Sequence, residues 1–168
     1  MTNSAADTAM ADFDAALSRA KTPDEAYKAL QALTEATVGV KLFTIMTVDM
    51  PAGLARRAYT SDPANYPASG TKPIHFDDWF EIVHKQRRDF VANTLEDIAK
   101  VFPDFELIGS LGCASVVNMP VILADELVCT MNILHEAHYY TPERVTEMKR
   151  LLAVPAKAAY LAARLLAG

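Results

Sequence analysis

The chain has 168 residues, 51% of them hydrophobic and 22% charged, with a formal net charge of −5 at pH 7. That length suits one domain that buries its own core, and the composition excludes a disordered chain. The acidic balance argues against non-specific nucleic-acid binding, which needs a basic surface, and no apolar run approaches the ~20 residues of a membrane span.

The N-terminus, Met1 to Asp7, has neither a basic nor an apolar stretch, so no secretory signal is expected. Thr8 to Arg19 carries Met10, Phe13 and Leu17 on one face and reads as a short helix. Thr22-Pro23-Asp24-Glu25 is a stronger helix start, with a capping hydroxyl, proline at the first position and Glu at the third. Ala26, Leu30, Leu33 and Thr37 follow on one face, and Gly39 supplies the left-handed stop.

Leu42 to Asp49 is apolar and β-branched, as in a central strand buried on both faces. Met50-Pro51-Ala52-Gly53 is a turn, and Leu54 to Ser61 pairs back as a hairpin. Asp62 to Pro73 is rich in Pro, Asn, Ser and Gly and is expected to be an irregular, functional loop. Asp77 to Gln86 reads as a short helix with an acidic start and a basic end. A short strand at Phe90–Asn93 precedes a helix from Thr94 to near Pro103, and Phe105 to Leu111 forms one more helical turn.

Ala114 to Leu123 and Glu126 to His135 flank Ala124-Asp125 and form an antiparallel hairpin. Thr141-Pro142-Glu143 opens the last helix, with Val145, Met148 and Leu152 as its stripe; Pro155 is expected to kink or break it. The order of elements gives an α+β domain around an antiparallel sheet. Two cysteines and no Cys-x-x-Cys suit a reduced, cytoplasmic protein.

The stretch Ser115-Val-Val-Asn-Met-Pro-Val-Ile-Leu, then Asp125-Glu-Leu-Val-Cys-Thr-Met-Asn-Ile-Leu, then Tyr140-Thr-Pro-Glu-Arg resembles the C-terminal half of a GAF domain. Cys129 stands where that family usually has Gly. The resemblance spans roughly residues 22–166. It divides the chain into an N-terminal helical extension, 1–21, and a GAF-like domain, 22–168, that includes the last helix. It implies a profilin- or PAS-like, six-stranded antiparallel sheet with helices on both faces, and a small-molecule pocket under the middle loops. GAF domains bind cyclic nucleotides, bilins, haem, 2-oxo acids, amino acids or aromatic effectors, and often dimerise through their terminal helices.

Strand parity separates two faces in the last hairpin. Val117, Met119, Val121, Cys129, Met131 and Ile133 are uniformly apolar, while the other face carries Asn118, Thr130 and Asn132. These three form the expected pocket floor, because buried polar groups need partners: a ligand, neighbouring backbone or water. Tyr59, Tyr66 and Trp79 bracket the irregular loop and make an aromatic lid, or anchor that loop to the domain. Arg56, Arg57, Arg87 and Arg88 could clamp an anion or simply be solvated. His84 is a candidate acid, base or ligand contact.

Cys113 invites comparison with the one GAF-fold enzyme family, the free methionine sulfoxide reductases, whose nucleophile precedes the penultimate strand. Here it lies closer to Pro120 than that family's nucleophile lies to its own proline, and the lid has no Cys. The reading is therefore a sensory or regulatory module binding an aromatic, heterocyclic or carboxylate metabolite. The alternative is a GAF-fold enzyme acting on a small aromatic, heterocyclic or sulfoxide-type metabolite through His84, Cys113 or Tyr66. No metal and no cofactor is expected; a homodimer is, with no nucleic-acid or membrane partner. A GAF-like unit of this size leaves no room for an output domain within 168 residues, so the expectation is a separate effector protein or chemistry in the pocket.

Overall fold

The computed structural model describes residues 2–168, with side chains from Ser4 onward. Its contacts separate into two compact units. One runs to Gly39 and resumes at Thr146; the other is Val40–Val145.

The helical unit holds α1 (Thr2–Arg19), α2 (Pro23–Thr37) and the body of α6 (Pro142–Leu166). The start of α2 follows its sequence signal: the Thr22 hydroxyl accepts the Glu25 N–H at 3.2 Å, and the Glu25 carboxylate accepts the Lys21 N–H. At its end Gly39 takes φ 96°, and its N–H turns back to the Thr34 carbonyl at 2.9 Å. The buried face is broader than the expected stripe, because Tyr27, Ala29 and Thr34 join Ala26, Leu30 and Leu33.

Pro155 does not break α6, which runs unbroken over 25 residues. An interior proline costs about 3 kcal/mol. Met148, Leu152, Pro155, Ala156, Ala159 and Ala163 form one continuous buried stripe, so the packing that holds the helix passes straight through the proline.

The sheet unit contains β1 (Leu42–Asp49), β2 (Leu54–Thr60), β3 (Lys72–Pro73), β4 (Phe90–Ala92), β5 (Ser115–Leu123) and β6 (Glu126–His135). They form a six-stranded antiparallel sheet in the order β3-β2-β1-β6-β5-β4. Hence β1 and β6, far apart in sequence, lie side by side at its centre. Ala124 and Asp125 both take positive φ, 50° and 60°, which closes the two-residue β5–β6 turn with the twist a hairpin needs.

Between β2 and β5 come α3 (Asp78–Phe80), a π-turn (Glu81–Lys85), α4 (Leu95–Ala99) and α5 (Phe105–Ser110). Two expectations are corrected here. The irregular loop contains the edge strand β3, and the ordinary helix expected over Asp77–Gln86 opens into a π-turn after its first turn.

Candidate functional site

The floor of the site begins with strand register. On β1, alternation turns Thr44 and Met46 to the opposite face from Phe43 and Ile45. Register then pairs Thr44 with Asn132 on β6, and Asn132 with Asn118 on β5. Three polar side chains thus stand in one row across three adjacent strands. All three are buried.

Their hydrogen bonds have a direction. An indole N–H can only donate. Trp79 Nε1 donates to Asn118 Oδ1 at 2.9 Å, Asn118 Nδ2 to Asn132 Oδ1 at 2.7 Å, and Asn132 Nδ2 to Thr44 Oγ1 at 3.2 Å. The single tryptophan therefore fixes both amide orientations, and the Thr44 hydroxyl hydrogen remains to donate.

The π-turn explains how Trp79 reaches that row beside His84. In an α-helix, residues five apart diverge around the axis; a π-turn closes i to i+5 and stacks them. Trp79 and His84 meet edge to face with ring centroids 5.1 Å apart, and Phe80 lies 4.8 Å from His84. The short helix α3 that precedes the turn is capped by the Asp77 carboxylate, which accepts the Phe80 N–H at 2.9 Å.

The irregular loop is pinned at Tyr66. The Arg57 guanidinium lies over its ring at 3.8 Å and donates to the Pro67 carbonyl at 2.9 Å. The Tyr66 hydroxyl donates to Asp104 at 2.6 Å. Burial, reinforced by that carboxylate, pushes the Tyr66 phenol well above its ordinary range.

Together these elements enclose a cavity of about 260 Å³. Thr44, Met46, Val116, Asn118, Thr130, Asn132 and Leu134 line it from the sheet. Tyr66, Trp79, His84, Phe102 and Ile108 face them, with Arg57, Lys72, His75 and Asp77 among the rest of the lining. Two polar groups in this lining are unsatisfied. Neither ring nitrogen of His84 nor the Thr130 hydroxyl has a hydrogen-bond partner, although His84 is only 5% exposed and Thr130 is fully buried. Burial holds the His84 pKa below its ordinary value, against the opposing pull of Asp77.

Of the residues singled out in the sequence, Tyr66, Trp79, His84, Asn118, Thr130 and Asn132 line this one cavity. Tyr59 and Cys113 lie outside its lining. A bulge between Ile45 and Met46 leaves Ala58 unpaired, so Arg57 pairs with Met46 but Tyr59 with Ile45. The extra residue reverses the alternation and turns Tyr59 to the other sheet face, its ring against Phe43 at 5.9 Å. Cys113 packs instead in an apolar cluster with Leu42, Ala92 and Ile98, and burial raises its thiol pKa. Cys129 is buried too, its thiol pushed up to about 12.

Arg57 reaches the cavity, Arg56 pairs with Thr47 on the alternate sheet face, and Arg87 is held by Asp125 at 2.9 Å. Thr44 escaped the sequence reading. Its signal was present in the alternation of Leu42–Asp49, but that strand reads as apolar on both faces.

No protein-family model and no curated protein matches the sequence. Solved structures do resemble it. The GAF domain of an Acinetobacter phosphoenolpyruvate-protein phosphotransferase superposes with a TM-score of 0.70 at 7% identity, covering 95% of this chain and 96% of that one. The GAF domain/HD domain protein from Geobacter sulfurreducens gives 0.67 at 11%, over 87% and 97%. The GAF domain of a two-component sensor histidine kinase from Bacillus halodurans gives 0.64 at 14%, over 84% and 98%. The architecture is thus an α+β domain built on a six-stranded antiparallel sheet. More particularly, the chain folds as a GAF-like domain. Among the described residues no helix is long and apolar enough to cross a membrane.

Proposed function

We propose that this chain is a sensory or regulatory module that binds a small molecule in the cavity between the β1–β6–β5 floor and the Tyr66–Trp79–His84 roof. The carrying observation is the pair of unsatisfied buried groups, His84 and Thr130, in the lining of one cavity. An unpaired buried polar group costs about 1–3 kcal/mol. A ligand that supplies the missing partners recovers that cost, whereas a merely structural core would have filled both positions with apolar side chains.

The test is a thermal-shift screen against a broad metabolite panel, followed by Thr130→Val. A ligand at 100 times its Kd stabilises by ~2.7 kcal/mol. The variant removes the orphan hydroxyl at nearly constant volume. It is expected to melt at the same temperature or higher, by up to ~1 kcal/mol, yet to lose most of the ligand-induced shift. A panel without a hit, or a hit whose shift survives in Thr130→Val, would refute the assignment.

Pairing of two copies through the terminal helices belongs to the same reading. Val154, Leu161 and Leu165 are exposed on α6 at i, i+7 and i+11, an apolar stripe with heptad spacing. Light scattering is expected to give twice the chain mass, and Leu161→Glu/Leu165→Glu to return the monomer.

A further inference from the structure

The hydrogen-bond row on the pocket floor has a polarity, and that polarity selects what can bind above it. Resting on the pocket reading above, we infer that Thr44 is the specificity-determining residue of the cavity: it takes a neutral ligand that presents a proton-free acceptor, a carbonyl oxygen, to β1.

Direction enters at Trp79, whose indole N–H can only donate. It donates to Asn118 Oδ1 at 2.9 Å, which leaves the Asn118 amide N–H for Asn132 Oδ1 at 2.7 Å. Asn132 Nδ2 then faces Thr44 Oγ1 at 3.2 Å. Turning either amide over would set donor against donor, so the row runs one way. Its last member, Thr44, accepts from Asn132 and cannot return its own hydrogen to an amide NH2. Thr44 is 4% exposed and lines the cavity, and no acceptor among the described residues takes that hydrogen. A ligand that brought a donor to Thr44 would leave the hydrogen unsatisfied; one that brings a carbonyl oxygen completes the row.

The other two unsatisfied groups do not discriminate. The Thr130 hydroxyl has no partner and rotates to donate or accept, and a neutral His84 does either by choice of tautomer. Register pairs Thr130 with Met46, two residues along β1 from Thr44 and on the same face, so the two hydroxyls stand diagonally across the β1–β6 pair. A small ligand over this pair meets both, and only Thr44 dictates what it must bring.

Beside Thr44 the floor is uncharged, with Asn132 across the sheet and Met46 along the strand. Arg57, opposite Met46, is engaged by the Tyr66 ring and the Pro67 carbonyl. One neutral hydroxyl does not repay the desolvation of an ion, so the carbonyl belongs to a neutral compound.

Three probes on one cyclohexyl skeleton separate these properties. Methyl cyclohexyl ketone only accepts, 1-cyclohexylethanol accepts and donates, and cyclohexanecarboxylate is charged. Trp79 is the only tryptophan, so its fluorescence reports occupancy directly. The natural chain is expected to bind ketone and alcohol comparably and the carboxylate at least about tenfold more weakly. Thr44→Val keeps the shape and deletes the donor; it should weaken the ketone about tenfold, and Thr44→Ser should restore it. Asn132→Asp reverses the end of the row: the new carboxylate accepts from both Asn118 and Thr44, and Thr44 turns its oxygen to the cavity. There the alcohol should keep its affinity while the ketone loses about tenfold, a split that a merely structural Thr44 would not produce. Should Asn132→Asp fail to fold, the two Thr44 variants decide alone. Unchanged ketone affinity in Thr44→Val, an unchanged ketone-to-alcohol ratio in folded Asn132→Asp, or tighter binding of the carboxylate overturns the inference. So does silence from all three probes. Each of these leaves the pocket standing; that reading fails only if the broad metabolite panel is silent as well.

Discussion

Asn132→Leu is expected to lower stability by about 2–4 kcal/mol, because it removes the middle of a buried polar row and strands both ends. Asn118 Nδ2 loses its acceptor at 2.7 Å, and Thr44 Oγ1 loses its donor at 3.2 Å. In a chain of this size each kcal/mol moves Tm by ~2–4 °C, so the melt should shift by roughly 5–15 °C. The double variant Asn118→Leu/Asn132→Leu should cost less than the sum of the singles, since it deletes both partners of the shortest bond in the row. Its own residue of damage is the Trp79 N–H, left without the acceptor it now reaches at 2.9 Å. Calorimetry on the four proteins of the cycle checks this, and additive losses would mean that the row does not act as a unit. Trp79 emission offers a second readout, because any rotation of Asn118 changes the group bonded to the indole.

Acid should destabilise this protein through His84 before it reaches the carboxylates. Its imidazole pKa lies below the ordinary 6.5 because burial disfavours the charged form. The unfolded chain therefore binds a proton that the folded chain resists, and folding stability is fully present above pH 6.5. It falls as pH drops below that value and stops falling once the folded imidazole itself is charged. His135, also held low by burial, adds a contribution of the same sign. Melting curves between pH 7.5 and 5 should thus slope downward toward acid for the natural chain. In His84→Phe the slope should be shallower, with the His135 part remaining. Identical slopes would show that His84 does not titrate against its burial. Neutral His84 is also the form that can accept a hydrogen bond from a ligand, so affinity for such a ligand should decline over the same window.

The hairpin Ser115–His135, the start of α2 and the start of α6 were legible because their determinants are local. A two-residue turn between alternating strands and a hydroxyl before proline act within four residues of themselves. The polar parity of Asn118, Thr130 and Asn132 was legible for the same reason, since alternation is a property of one strand. The break expected at Pro155 does not occur, for the converse reason: its local cost is real, but continuous burial along α6 outweighs it.

By itself, then, the sequence determined the elements other than β3 and the π-turn, their antiparallel class and which side chains of the last hairpin share a face. Tertiary structure alone decided that Thr44, 88 residues away from Asn132, completes their row. It also decided that one bulge at Ala58 turns Tyr59 away, and that a π-turn brings His84 under Trp79. These three features depend on register and on one extra residue in a strand or a helical turn. Contacts distant in sequence set both, and no local pattern of residue types encodes them.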